Sequence, residues 1–312
     1  MRNKVIAFLC LGRGVLLSVL LLCLSPEVVW GQDSTHKIYS LYDNKGLSAQ
    51  SAACYGDYLV QVKKYVSMMS LYNLRTKKSL CVCELQPWKE LRGSMDIYHA
   101  NNCSFGLQKF KESDVFPLLY VSHRENNSKR GVLQVFRIQP VKSSNEKTDY
   151  DSLIISLVQT VYFPRMTDDN ALGSPWTVID KDHNCMYTYS RNNRKSATNK
   201  GICRISKFKI PAIGDSAEVF LNDNDILDSY EVTFKAPLAQ GACIYKGLMY
   251  IAQGKPNKYV WLRIIDLEKR KLVRSINLKE EGFPSEPEGC FIYRNHLMIS
   301  TGKRIFKINI PI

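Results

Sequence analysis

The chain reads as an all-β protein assembled from repeated sheets, and three observations carry that reading. One phrase, a polar head followed by an apolar run, a tight turn and a second apolar run, occurs three times. No segment sustains an apolar stripe at the helical period. The last unit is one strand short, and the start of the mature chain holds a spare strand that would complete it. Together these predict a single β-propeller, a ring of four-stranded blades closed by its N- and C-terminal strands.

The fullest copy of the phrase is Gln240-Gly241-Ala242-Cys243-Ile244-Tyr245-Lys246-Gly247-Leu248-Met249-Tyr250-Ile251. It returns from Glu288 to Ile299 and, near the start, from Gln50 to Val60. In each copy a tyrosine, Tyr55, Tyr245 or Tyr293, stands five residues after the head. A unit of this kind cannot bury both its faces alone, so neighbouring copies must pack together.

In order along the chain, residues 36–41 alternate as a short strand before the first head. Strands at 58–62, 67–73 and 80–85 complete the first unit. The second begins at His99, whose spacing to Cys103 equals that of Gln50 to Cys54. An insertion then precedes strands at 117–122 and 132–138. Unit three is read as 154–162, 176–179, 185–189 and 202–210. Unit four runs from 231–234 through the full phrase to 259–266 and 272–277. The last unit supplies 290–293, 297–300 and 305–309, and pairing its final strand with 36–41 would remove two exposed sheet edges. Counting heads gives five blades as the preferred number; a sixth would fit between Val141 and Pro175.

Residues 1–31 carry Arg2, Lys4 and Arg13, then the apolar run from Val15 to Leu24 and a small residue at Gly31. This is the pattern of a secretory signal peptide, too short to remain as a membrane span. Residues 32–312 are then the propeller, secreted, periplasmic or at the cell surface, with no transmembrane segment and a monomeric state expected. Removing Arg2, Lys4, Arg13 and Glu27 lowers the formal charge from +14 to about +12. The lysines and arginines are spread along the chain, which favours a solvated basic surface over a polyanion-binding patch. No strip interleaves arginines with aromatics, so nucleic acid is a poor partner.

Eight cysteines follow residue 31: Cys54, Cys81, Cys83, Cys103, Cys185, Cys203, Cys243 and Cys290. Most fall in or beside apolar strands, where a thiol behaves as a small buried side chain, and that reading is favoured over a full disulfide framework. There is no CxxC pair and no zinc-type spacing, so no metal and no cofactor are implied. Nucleophile elbows, HExxH and Walker loops are absent.

The polar heads of the inner strands should converge on the central channel. Gln50, His99, Gln240 and Glu288 offer amides, an imidazole and a carboxylate suited to sugar hydroxyls, and equally to bonds that hold neighbouring blades together. Trp176 could stack on a sugar ring or fill the space between two blades. Arg191 and Arg194, in the basic loop before Lys200, would favour an acidic partner. If the protein is an enzyme, His99 and Glu288 are the acid/base pair, for elimination or hydrolysis. Asp180 and Asp182 read as turn caps.

The repeated meanders, the phrases Gln240-Gly241-Ala242 and Glu286-Pro287-Glu288-Gly289, and the terminal Ile305-Phe306-Lys307-Ile308 resemble secreted bacterial β-propellers. The closest in style are the TolB-like and YncE-like groups, with many exported Bacteroidetes members. The resemblance implies the fold across the mature chain. It implies one of several roles, among them scaffold, ligand binder and enzyme. The expected function is a binding module for an extracellular carbohydrate or protein partner at the channel mouth; the alternative is a carbohydrate-active lyase or hydrolase.

Overall fold

A computed structural model describes residues 35–40, 49–63, 68–84, 97–125, 130–142, 150–164, 176–191, 202–214, 216–234, 239–255 and 259–310. Strand β1 (Thr35–Ser40) is followed by blade 1: β2 (Ala49–Tyr55), β3 (Tyr58–Lys63), β4 (Met68–Asn73) and β5 (Lys78–Glu84). Blade 2 holds β6 (Ile97–Phe105), β7 (Leu119–Glu125), β8 (Gly131–Val141) and β9 (Ser152–Tyr162). Blade 3 holds β10 (Trp176–Asp180), β11 (Cys185–Arg191) and β12 (Ile202–Lys209). The chain then lends β13 (Glu218–Phe220) to the edge of blade 2, parallel to β9, before β14 (Ile226–Thr233) finishes blade 3. Blade 4 is β15 (Ala239–Tyr245), β16 (Leu248–Lys255), β17 (Tyr259–Asp266) and β18 (Lys271–Asn277). Blade 5 is β19 (Gly289–Tyr293), β20 (His296–Ser300) and β21 (Arg304–Ile308), completed by β1.

Closure is as expected: β1 runs antiparallel to β21, from Thr35 opposite Ile308 to Ser40 opposite Arg304. The blades number five. The stretch reserved for a sixth is consumed by β9, which pairs with β8 over ten positions from Val132 opposite Tyr162 to Val141 opposite Ser152. Residues 154–162 therefore close blade 2 instead of opening blade 3, and residues 231–234 end blade 3 instead of opening blade 4. A long antiparallel hairpin satisfies both backbones at once, which a shift into the next blade would forfeit.

Burial follows position in the blade. All six residues of β4 are buried, as expected of a strand packed on both faces. The outer strand β18 alternates exposed and half-buried residues over its first five positions. Between blades the apolar faces interlock. Val60 and Leu71 meet Phe105 and Val121, Val135 and Val161 meet Met186 and Phe208, and Val178 and Ile205 meet Ala242 and Met249. Leu262 then meets Leu297 and Phe306, and Phe291 and Ile305 meet Leu59 and Tyr72, so the fifth layer returns to the first blade.

The repeated phrase has a geometric reason. Arg294 and Asn295, at φ +48° and +59°, make the tight turn between β19 and β20, and Lys246 and Gly247 repeat it between β15 and β16. The glycine after the heads Gln240 and Glu288 permits a close approach of backbones. A Cβ on Gly241 would stand 2.6 Å from Gly289 Cα, and one on Gly289 would stand 2.7 Å from Ala52 N. Blades 4, 5 and 1 thus meet main chain to main chain. The repeated tyrosine reaches across to the next blade. Tyr245 Oη donates to Asn295 Oδ1 at 3.0 Å, and Tyr293 Oη donates to Asp57 Oδ1 at 2.9 Å. Tyr55 leans on Phe105 and Phe116 at 5.9 and 6.2 Å between ring centres.

Candidate functional site

The five inner strands β2, β6, β10, β15 and β19 surround a channel with two unlike ends. Their starts, with the polar heads, form the head end; their turns form the hairpin end. Between the two sits Asn102, fully buried on β6. Its Nδ2 donates to Thr177 O at 2.8 Å and to Ala242 O at 3.2 Å. Its Oδ1 accepts from Ala242 N at 3.1 Å and from Ser51 Oγ at 3.4 Å. Ser51 Oγ in turn accepts from Cys103 N at 2.7 Å. One amide therefore ties blade 2 to blades 1, 3 and 4 across the axis. Its carbonyl oxygen is used as well, accepting from Ser122 Oγ at 3.3 Å.

At the head end a chain of contacts joins blades 3, 4 and 5. The Trp176 ring, half-buried at the start of β10, stacks on Tyr189 at 5.9 Å and 21°. Tyr189 Oη donates to Gln240 O at 2.6 Å. Gln240 Nε2 donates to Glu286 Oε1 at 2.8 Å. Two residues on, Glu288 is buried immediately before β19, its backbone N–H held by Ser300 O at 2.7 Å. Burial, and then the neighbouring Glu286 carboxylate, push the Glu288 carboxyl up to about 8. It is therefore largely protonated at neutral pH and can donate as well as accept. Trp176 Nε1 is buried with no hydrogen-bond partner among the described residues.

The sequence-named residues fare unequally. Trp176 and Gln240 come together in this chain of contacts, and Glu288 lies two residues beyond its last member. Gln50 is half-buried at the start of β2 and donates to Ala49 O at 3.2 Å, outside that chain. His99 lies on β6 and Arg191 ends β11, and the side chains of both fall outside the described residues, as does Arg194 altogether. Asp180 caps its turn as expected, accepting from the N–H groups of Asp182 and His183 at 3.1 and 3.3 Å.

Asn102, Ser51 and Tyr189 were not legible as site residues. The starts of β2, β6 and β15 are bulged, with register shifts between Ala49 and Ser51, between Ala100 and Asn102, and between Ala239 and Ala242. A bulge re-aims side chains relative to simple counting. The one signal for Asn102 was a second polar residue running inward past an expected head.

The fold is a five-bladed β-propeller. No family model matches the chain, and no curated protein matches it in sequence. Among solved structures it is similar to the glutaminyl cyclase of Myxococcus xanthus, at 9% identity and a TM-score of 0.47, over 88% of this chain and 95% of that one. It is also similar to a luciferin-regenerating enzyme, at 11% identity and a TM-score of 0.39, over 88% and 75%. Both likenesses are distant. Among the described residues no helix is long and apolar enough to cross a membrane, and no cluster of three or more His, Cys, Asp or Glu is arranged to hold a metal ion.

Proposed function

We propose that this propeller is a binding module whose ligand site is the head end of the channel, and that the ligand is a hydroxyl-rich molecule, an extracellular carbohydrate. The observation that carries the reading is the contact chain from Trp176 through Tyr189 and Gln240 to Glu286, with Glu288 beside it. A neutral carboxyl at Glu288 donates to a hydroxyl without bringing a bare charge into a buried site. Gln240 donates one of its two amide N–H groups to Glu286, and its Oε1 is an acceptor. Sugar hydroxyls need both kinds of partner in a small space, which suits this set. An acidic protein partner at the outer loops is the outcome expected if no glycan binds.

A second reading has its own support. A carboxyl raised to about 8 is poised as a general acid near neutral pH, which fits a lyase or hydrolase. Screening the purified protein against acidic and neutral polysaccharides, with binding and product release followed together, separates the two. The binding reading predicts retention without turnover, lost in Gln240→Ala. Turnover abolished by Glu288→Gln would replace it with the enzymatic one. The proposal also takes the chain as exported and cleaved near Gln32; N-terminal sequencing of secreted or periplasmic material checks this, and an intact Met1 there would refute it.

A further inference from the structure

At the hairpin end the same five strands line a cavity of about 300 Å³. Four cysteines are among its lining residues, Cys54, Cys103, Cys243 and Cys290, with Lys181 beside them. Two of the four already touch: Cys243 Sγ lies 3.5 Å from Cys290 Sγ. These residues sit on β15 and β19, strands of neighbouring blades that share no ladder. They meet because Gly241 and Gly289, just before them, let the two backbones converge with no side chain between. Cys54 turns elsewhere, to Gly56 O at 3.3 Å.

We propose that Cys243 and Cys290 are a redox-active dithiol, converted by a small-molecule disulfide into a bond that laces blade 4 to blade 5. The sulfurs have only to close from contact to bonding distance, about 2.0 Å, with both backbones already held by their own blades. Cys243 is the sulfur that attacks first, since it is half-buried on the cavity wall while Cys290 is 1% exposed. Cys243 gives its proton to solvent and its thiolate attacks one sulfur of the reagent RSSR. The S–S bond of the reagent breaks, RS⁻ leaves, and a mixed disulfide forms. Cys290 then loses its proton and attacks the Cys243 sulfur, expelling the second RS⁻. Both thiolates take up a proton. Two protein thiols are oxidised and one RSSR becomes two RSH.

The surroundings set the rate. Burial, followed by the Cys290 neighbour, raises the Cys243 thiol well above its ordinary value, while the Lys181 ammonium pulls it back down. Exchange therefore runs slowly at neutral pH and faster in mild alkali, where more of Cys243 is thiolate. Once formed, the bond closes a loop of the chain that takes in β16, β17 and β18 and constrains the unfolded state.

The test treats the purified full chain with oxidised glutathione in mild alkali and maps its peptides without reduction. The expected result is a linked pair of peptides carrying Cys243 and Cys290, with the mass lower by two hydrogen atoms and no retained glutathione. The melting temperature should rise by roughly 5–10 °C and fall back with dithiothreitol. Cys54→Ala should keep the bond, and Cys243→Ala and Cys290→Ala should each abolish it. Free thiols at both positions after prolonged oxidation would overturn the proposal, and so would a bond joining either one to Cys54 or Cys103. The wild-type peptide map decides the matter even if a variant fails to fold.

Discussion

The two ends of the channel are built by the same five strands and have opposite chemistry. At the head end the strand starts carry amides, carboxyls and an indole, joined across blades 3, 4 and 5. At the hairpin end the strands have become apolar, and cysteines line the cavity. Asn102 lies between and satisfies its polar atoms wholly within the ring. The difference teaches where each kind of residue can stand. Tight turns and inter-blade tyrosine contacts fix the hairpin end rigidly, so small buried side chains suffice there. The head end also holds a carboxyl that burial and a neighbouring carboxylate keep protonated, Glu288, and a buried indole N–H with no partner among the described residues, that of Trp176. Groups of that kind are what the proposed ligand site rests on.

Removing the divider should have the largest effect. Asn102→Leu leaves the Ala242 N–H and the Thr177 carbonyl without their partner in a dry interior, and should cost about 3–5 kcal/mol. Urea denaturation reads this as a lower midpoint at unchanged slope. A loss under 1 kcal/mol would mean that water replaces the amide and that the two ends communicate.

Next comes the head end alone. The folded carboxyl of Glu288 sits at about 8 against an ordinary 4.5, so the folded state holds a proton that the unfolded chain releases. Its contribution is therefore fully present below about pH 4.5 and lost as pH rises through 8. Glu288→Gln should flatten that decline and stabilise the protein at alkaline pH by about 2–4 kcal/mol. Melting curves at several pH values compare the two. A wild-type curve no steeper than that of the variant would show Glu288 to be solvated.

The close approach of blades 4 and 5 comes third. Gly241→Ala brings a Cβ within 2.6–2.8 Å of backbone atoms of Glu288, Gly289 and Cys290, none of which can rotate away. About 2–3 kcal/mol should be lost. The effect should also slow Cys243–Cys290 bond formation, coupling the two ends through the same strands.

The smallest effect belongs to the hairpin end. Tyr293→Phe removes one hydrogen bond to Asp57 and should cost about 1 kcal/mol. That bond is also the leading reason the Asp57 carboxyl lies below its ordinary value, followed in the same direction by Arg294. Its share of stability is present above the ordinary aspartate value and lost as pH falls through the lowered one, so the variant should lose less in acid than the wild type does.

What the sequence disclosed, and what it hid, follows the same division. The inner hairpins were legible because the phrase is rigidly constrained: Gly241 and Gly289 by backbone contact, Tyr245 and Tyr293 by bonds to the next blade. Ring closure was legible from the missing strand. The outer strands carry no such constraint, which is why residues 154–162 and 231–234 read as belonging one blade later than they do. At the site, Gln240 and Glu288 stood out as heads of the phrase. Asn102 did not, since its role depends on a bulge and on partners from three other blades that no local pattern announces. The Cys243–Cys290 contact was hidden for a similar reason, as it pairs positions 47 residues apart.

The central claim is that a protonated Glu288 at the head end takes part in ligand recognition. Glycan affinity measured by calorimetry from pH 6 to pH 9 tests it most directly, on the wild type and on Glu288→Gln. Wild-type affinity should hold at the acidic end and fall as pH passes about 8, where the carboxyl loses the proton it donates. Glu288→Gln, which keeps a donor at every pH, should bind with a flat profile. A flat profile in the wild type, or the same alkaline fall in Glu288→Gln, would contradict the account.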